Sequence, residues 1–510
     1  MQKVCFSQKE KIMKDFETFK ELQRKQKAYQ YILTLASWDS NTEAPKESFP
    51  FRSEMLGIIS GEHFSLMTHK EYVETVNDLF NNSEDLNERQ KREIEKAKKN
   101  LDKIVKIPKK DYIEYSKLLN NAQKVWEDAK EDSDFQSFKP YLEKIIAMKK
   151  KMVSFRQKEN EHAYDVLLDD FEEGMTMEKY DTFFETVKKD LVPFVKTILK
   201  KKSEKTASFV NKSYPVDKQK AFVEYLLGVF DFKKNRGVLK ESVHPFTWNT
   251  HSKDVRFTTS YHEKYVFSSI FAAIHELGHA TYEQQVDEVF DMTNLKSGAS
   301  MGIHESQSRF YENMIGRSKP FWNTHLSKFK SMFPSQMKNI EVDDFYAAIN
   351  RVDESFIRIE ADELTYPLHI LIRYEIERMI FNDEVSVEDL PSIWNEKVKT
   401  YLNLDVEEDS QGILQDVHWS NGMFGYFPTY ALGSAYAAQI YYTLIEDIEF
   451  ETLIEENRID EINKWLRHKI HCYGSSLKPR EIIEKVTGEP FDPKYYVRFL
   501  KDKYSDLYLK

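Results

Sequence analysis

The 510-residue chain has little cysteine: Cys5 and Cys472 are its only two. That excludes a disulfide framework and fits a reducing compartment. No helper motif for thiol chemistry surrounds either one. Glycine and proline are scarce as well, at 15 each, which disfavours a turn-rich β fold and points to long helices. No apolar run approaches the roughly 18 residues of a membrane span. The first residues, Met1 to Ser7, hold no stretch of signal-peptide length. The expected location is the cytoplasm, with no membrane partner. Net positive charge is also missing. The formal net charge is -11, and lysines are interleaved with glutamates, as in Lys91-Arg92-Glu93-Ile94-Glu95-Lys96. These read as solvated helix faces, and no nucleic-acid partner is expected.

Aromatic residues are abundant: 35 Phe, 28 Tyr and 7 Trp can fill a large interior or line a deep cleft. Residues 8–35 place Phe16, Phe19, Leu22 and Tyr29 at helical spacing. Residues 86–107 do the same with Leu86, Ile94, Ala97, Leu101, Ile104 and Val105, as one half of an antiparallel pair with 111–130. Stretches 140–165 and 176–204 continue in helical style, with Pro193 marking a kink or boundary. The texture changes near 238–262, where Val255-Arg256-Phe257-Thr258-Thr259-Ser260-Tyr261 is the best strand candidate. Residues 296–303 read as another short strand or a turn, and helices dominate again from 343. No Pro/Gly/Ser-rich linker divides the chain. The expectation is one mainly α domain over 1–510, with a helical part to 235 and a second part over 236–510 that holds a small sheet.

Residues 275–279 read His-Glu-Leu-Gly-His. On a helix, positions i and i+4 share a face, so His275 and His279 can grip one metal ion. Glu276 projects beside the pair, within reach of a water. Composition alone produces this pattern with odds of roughly a few in a hundred, so the surroundings must decide. Ser268 or Ser269 can cap the helix. Gly278 inside it costs about 1 kcal/mol against alanine, unless another backbone approaches closely there.

A catalytic metal needs a third protein ligand and an open position. One zinc-peptidase class places glycine and histidine three and six residues beyond the second histidine. Tyr282 and Gln285 stand there, which excludes that class. Glu283 sits one turn too far along the helix. The best candidate is Glu305, 26 residues on (305 − 279), with Arg309 four residues later to orient it. A surface ion pair is the alternative for these two. Three further clusters stand out: His244-Pro245-Phe246-Thr247 with Asp254-Val255-Arg256-Phe257-Thr258; Arg358 with Asp362, paired at i and i+4 on a helix; and Gly412 to Trp419, followed by Tyr426 and Tyr430. Read singly, each also suits ordinary structural pairing.

Together, and in this order, these motifs resemble those of the carboxypeptidase Taq family of zinc metallocarboxypeptidases. The matching residues are His244-Pro245-Phe246; Asp254, Arg256 and Thr258; His275-Glu276-Leu277-Gly278-His279; His304-Glu305-Ser306-Gln307; Arg358, Ala361 and Asp362; and Gly412, Gln415, Asp416, His418 and Trp419. Six spaced motifs over about 244–430 are far more specific than the first alone.

The resemblance implies a fold similar to neurolysin and angiotensin-converting enzyme: a helical body split by a deep central groove, with one small antiparallel sheet beside the metal site. It implies a homodimer that removes single amino acids from peptide C-termini with broad preference, using one zinc ion per chain, which cobalt can replace. In that reading His275, His279 and Glu305 hold the metal, and Glu276 takes a proton from the attacking water and delivers it to the leaving amine. His418, then Tyr426 or Tyr430, would hold the oxyanion. Arg358, oriented by Asp362, would take the substrate's terminal carboxylate, with Arg256 as runner-up. His244, Asp254, Thr258, Gln307, Arg309, Gln415, Asp416 and Trp419 would support them. The rivals are an endo-oligopeptidase on the same scaffold, a non-catalytic peptide-binding protein, and a chance motif in a structural helix.

Overall fold

Some helices begin where a side chain satisfies one of their first N–H groups. In the computed structural model, which describes residues 8–201 and 207–510, twenty α-helices and three strands account for most of the chain. Before the sheet come Gln8–Thr42 (α1), Phe49–Thr68 (α2), Lys70–Asn81 (α3), Glu88–Val105 (α4), Lys109–Asp132 (α5), Phe135–Ser154 (α6), Ala163–Phe171 (α7), Met177–Leu199 (α8) and Val216–Val229 (α9). The strands are Gly237–Glu241 (β1), Thr247–His251 (β2) and Asp254–Thr259 (β3). Then follow Val266–Gln285 (α10), Met301–Arg309 (α11), Lys319–Met332 (α12), Val342–Ile349 (α13), Tyr366–Phe381 (α14), Leu390–Leu402 (α15) and Pro428–Asp447 (α16). Phe450–Glu455, Ile459–Lys469, Pro479–Thr487 and Lys494–Tyr508 (α17 to α20) close the chain. Asn87 and Gln90 form a reciprocal capping box on α4, Asp134 caps α6, and Ser300 caps α11.

Several expected boundaries shift for local reasons. Helix α1 runs past 35 to Thr42, and in its last turn Ser40, Asn41 and Thr42 fold their side chains back onto the carbonyls of Ala36, Ser37 and Trp38. The 140–165 stretch divides, with α6 ending at Ser154 and α7 starting at Ala163. Pro193 lies inside α8 without ending it. The chief partner of α5 is α6 rather than α4. The apolar face of α4 (Ile94, Ala97, Leu101) is instead used in a small separate core with Phe16 and Phe19 of α1 and Val76 of α3. Nearly all other buried apolar residues share one large core. Residues 297–300 are irregular, with bends at Ser297 and Ala299, and α11 takes over from Met301. Cys5 and the segment Met1–Ser7 lie outside the described residues; Cys472 is half-buried.

The sheet is mixed rather than antiparallel. Its order is β1-β3-β2, with β3 parallel to β1 and antiparallel to β2. The tight link from His251 to Asp254 forces the hairpin, and β3 then slots between its two predecessors. As the central strand it buries Val255, Phe257, Thr258 and Thr259, and it packs on α10. A cleft runs between α1 and this sheet. Leu33, Thr34 and Ser37 form one wall, and Thr247, Trp248 and Asn249 the other, around a cavity of about 380 Å³ whose floor includes Glu283 and His304. No described helix is long and apolar enough to cross a membrane.

Candidate active site

Helix α10 begins at Val266, earlier than either serine, because the Ser269 hydroxyl accepts a bond from the His262 N–H instead of capping the helix. His275 and His279 share one face of it, with ring centroids 5.0 Å apart. Helix α11 brings Glu305 to the same point. His275 Nε2 lies 3.6 Å, and His279 Nε2 3.5 Å, from Glu305 Oε2. Ligand atoms of all three fall within 4.8 Å of one another. Two glycines permit this. A Cβ on Gly278 would stand 2.6 Å from the Gln307 carbonyl oxygen, and one on Gly433 of α16 would stand 2.6 Å from Glu305 Cβ. Gly278 is therefore the point of close backbone approach.

The donor set fits a divalent cation. His275 Nδ1 faces Glu312 at 3.1 Å. His279 Nδ1 faces His304 Nδ1 at 2.6 Å, and His304 Nε2 faces Glu283 Oε1 at 2.8 Å. If each outer nitrogen carries the proton, both Nε2 lone pairs converge on the Glu305 carboxylate. Two imidazoles and one carboxylate are the three-ligand donor set of catalytic sites. Charges in the site are strongly coupled. Burial opposes a charged His275, but Glu305 and Glu312 outweigh it and push it up to about 10. Burial drives His279 down to about 3. Burial also opposes the Glu305 charge, yet Arg309 and His275 hold its carboxyl well below the usual range. Arg309 Nε donates to Glu305 Oε1 at 2.7 Å, as its i+4 spacing predicts. Glu276 is buried, which raises its carboxyl, and Thr247 Oγ1 donates to its Oε2 at 2.6 Å.

A second cluster is built from non-helical chain. Arg358 lies on a single 3-10 turn, not on a helix. Its backbone N–H donates to Gln415 Oε1 (2.9 Å), and its Nε and Nη2 donate to Asp416 Oδ1 (3.0 and 2.8 Å). Nη1 donates to the Tyr366 hydroxyl at 3.2 Å. Asp362 does not orient Arg358. Its carboxylate accepts from the N–H groups of Asp353, Leu364 and Thr365 and so shapes the entry to α14. The i and i+4 pairing fails because the helix starts only at Tyr366, with Pro367 in its first turn. His418 Nε2 lies 3.4 Å from the Tyr430 hydroxyl, and its Nδ1 is buried with no partner among the described residues. Burial beside Arg358 and Arg373 holds His418 down at about 4, so it is neutral. The Arg358 guanidinium lies 5.1 Å from the Tyr430 ring centre. Tyr366 joins the two clusters, since the Arg309 guanidinium stacks 4.8 Å from its ring.

Other expected residues have structural partners. Arg256 pairs with Asp254 along β3 (2.7 Å) and stays out of the Arg358 cluster. Thr258 ties Phe246 N–H and the Ser242 hydroxyl, and His244 is exposed. Gln307 bonds His471, and Trp419 bonds Glu377. Sequence reasoning missed Thr247, His304, Glu312, Tyr366 and Arg373 as participants. Glu312 had a signal: it lies two helical turns beyond Glu305. His304 stood unassigned inside a quoted motif.

A helical body whose His-Glu-Leu-Gly-His helix and neighbouring glutamate bring three donor atoms within 4.8 Å, close enough to share one cation, has the build of a metallopeptidase. The profile described as Carboxypeptidase Taq (M32) metallopeptidase matches residues 18–504. Carboxypeptidase 1 of Bacillus subtilis (strain 168) is 46% identical over 492 residues, covering 96% of this chain and 98% of that one. Thermostable carboxypeptidase 1 of Pyrococcus furiosus is 38% identical over 501 residues, covering 96% and 98%. A solved structure of Pyrococcus furiosus carboxypeptidase superposes with a TM-score of 0.93 at 36% identity, covering 98% of this chain and all of that one (100%). The chain belongs to the carboxypeptidase Taq family of metallopeptidases, and it is a metallocarboxypeptidase that works with a divalent metal.

Proposed function

We propose that this protein releases single amino acids from the C-termini of peptides with broad preference, using zinc held by His275, His279 and Glu305. A cation held by these three residues would supply Lewis-acid polarisation of the scissile carbonyl and would acidify a bound water. Glu276 accepts the proton of the attacking water and returns it to the leaving amine. Its raised affinity for protons, from burial, suits both transfers. Neutral His418 donates an N–H to the developing oxyanion, with the Tyr430 or Tyr426 hydroxyl beside it. Cobalt can replace zinc. The enzyme acts as one catalytic domain in a cytoplasmic homodimer.

The observation that supports C-terminal recognition is Arg358. This buried guanidinium commits three N–H groups to Asp416 and Tyr366 and keeps one on each terminal nitrogen. Those two suit a carboxylate. Arg256, neutralised by Asp254, takes no part. Digestion of one peptide as the free acid and as the C-terminal amide tests the reading. Release from the acid alone is expected; equal release from both would assign an endo-oligopeptidase instead.

A further inference from the structure

The segment carrying His418 is clamped to α14 at two points one turn apart. Arg373 Nε donates to Asp416 Oδ2 at 2.7 Å. Four residues on, Glu377 is completely buried and accepts three bonds: from the Tyr164 hydroxyl (2.8 Å), the Trp419 indole N–H (2.8 Å) and the Gly425 backbone N–H (2.7 Å). The indole and the amide can only donate, so they require an acceptor at 377. A carboxylate in such surroundings is costly; burial pushes Glu377 up to about 7 despite these bonds. Gly425 leaves the turn no freedom to adjust. Its φ is +87°, and a Cβ there would stand 2.8 Å from the Leu167 carbonyl. His418 and Tyr426 flank the two tethered positions, 419 and 425.

We propose that Glu377 is a positioning residue for the peptidase reaction, fixing the 419–425 turn and thereby the aim of His418 and Tyr426 at the scissile carbonyl. The inference rests on the oxyanion role given above to those two side chains. It touches neither the metal ligands nor Arg358, so it predicts an effect on kcat with little change in KM or metal content.

Glu377→Gln keeps the shape but must turn its NH2 either toward Trp419 or toward both Tyr164 and Gly425, because Trp419 donates to one carboxylate oxygen and the other two donate to the second. When the carboxamide oxygen serves Tyr164 and Gly425, the conflict falls on Trp419. Trp419→Phe removes that N–H and keeps a ring. In steady-state kinetics on metal-loaded protein, Glu377→Gln should lower kcat roughly 10- to 100-fold. Trp419→Phe should lower it a few-fold, and the double variant should recover most of the loss, with metal stoichiometry unchanged throughout. A folded Glu377→Gln with wild-type kcat, or a double variant that regains thermal stability but not kcat, overturns the proposal. If Glu377→Gln does not fold, Trp419→Phe decides, and wild-type kcat in that variant sinks the idea. His418→Ala and Tyr426→Phe serve as references. If they leave kcat untouched, the oxyanion reading has failed; if they lower it and Glu377→Gln does not, only the role of Glu377 has.

Discussion

The His275–Glu305 corner and the Arg358 corner are joined at Tyr366 but are built in opposite ways. His275, His279, Glu305 and Arg309 ride on two regular helices pressed together at Gly278, so the helical period itself sets their geometry. Arg358, Asp416 and His418 stand on chain outside any α-helix, and long-range polar bonds to α14 set theirs. One corner tolerates no added volume between its helices, and the other no lost acceptor. Each also buries charge in linked sets. Arg309 and Arg317 flank Glu312 beside His275, while Arg358 and Arg373 share Asp416. Neither set is a simple pair, so removing one member leaves another uncompensated.

The sharpest test of this division is Glu276→Gln. It takes away the proposed base but none of the proposed metal ligands, so kcat should fall roughly 10²- to 10⁴-fold while metal stays bound. Metal analysis alongside peptide hydrolysis checks both halves; a parallel loss of metal would make Glu276 part of the cation site. Next, Glu312→Gln should weaken metal affinity about 10- to 100-fold by loosening the His275 ring, as chelator competition would show. It should leave the preference for a free C-terminus intact. Arg358→Lys works on the other corner. It exchanges the planar fork for a point charge and should cost about 1.5–3 kcal/mol of recognition, read as a rise in KM on free-acid peptides. Metal affinity should not move. A shift in chelator competition would show the corners to be coupled through Tyr366.

This contrast also explains what could be read from the sequence. His275, Glu276 and His279 follow from helical spacing, and so does the Glu305–Arg309 pair, which forms as the i+4 rule requires. The same rule applied to Arg358 and Asp362 misled, because no helix spans them. The expected partnership was wrong, since Asp416, 58 positions away, holds Arg358. Arg373 and Glu377 carried no local signal at all: each sits in an apolar helix, and its partners lie 43 and 42 positions on, at Asp416 and Trp419. Strand direction was equally hidden, because the insertion of β3 between β1 and β2 is a tertiary outcome.

The smallest expected effect addresses the glycine contact that locks the His275–Glu305 corner. Gly278→Ala gains about 1 kcal/mol of helix propensity. Against that, its Cβ would stand 2.6 Å from the Gln307 carbonyl oxygen and 2.7 Å from Ser308 Cα, and backbone atoms cannot swing aside. Overpacking of this kind costs about 1–3 kcal/mol, so the net change should be a modest loss of stability in denaturant titration. Gly228→Ala in α9 is the control. Nothing lies within 4 Å of its would-be Cβ, so there the propensity gain stands unopposed and stability should rise slightly. If both substitutions stabilise the protein equally, α10 and α11 have room to separate, and regular helix packing is not what holds Glu305 against the histidines.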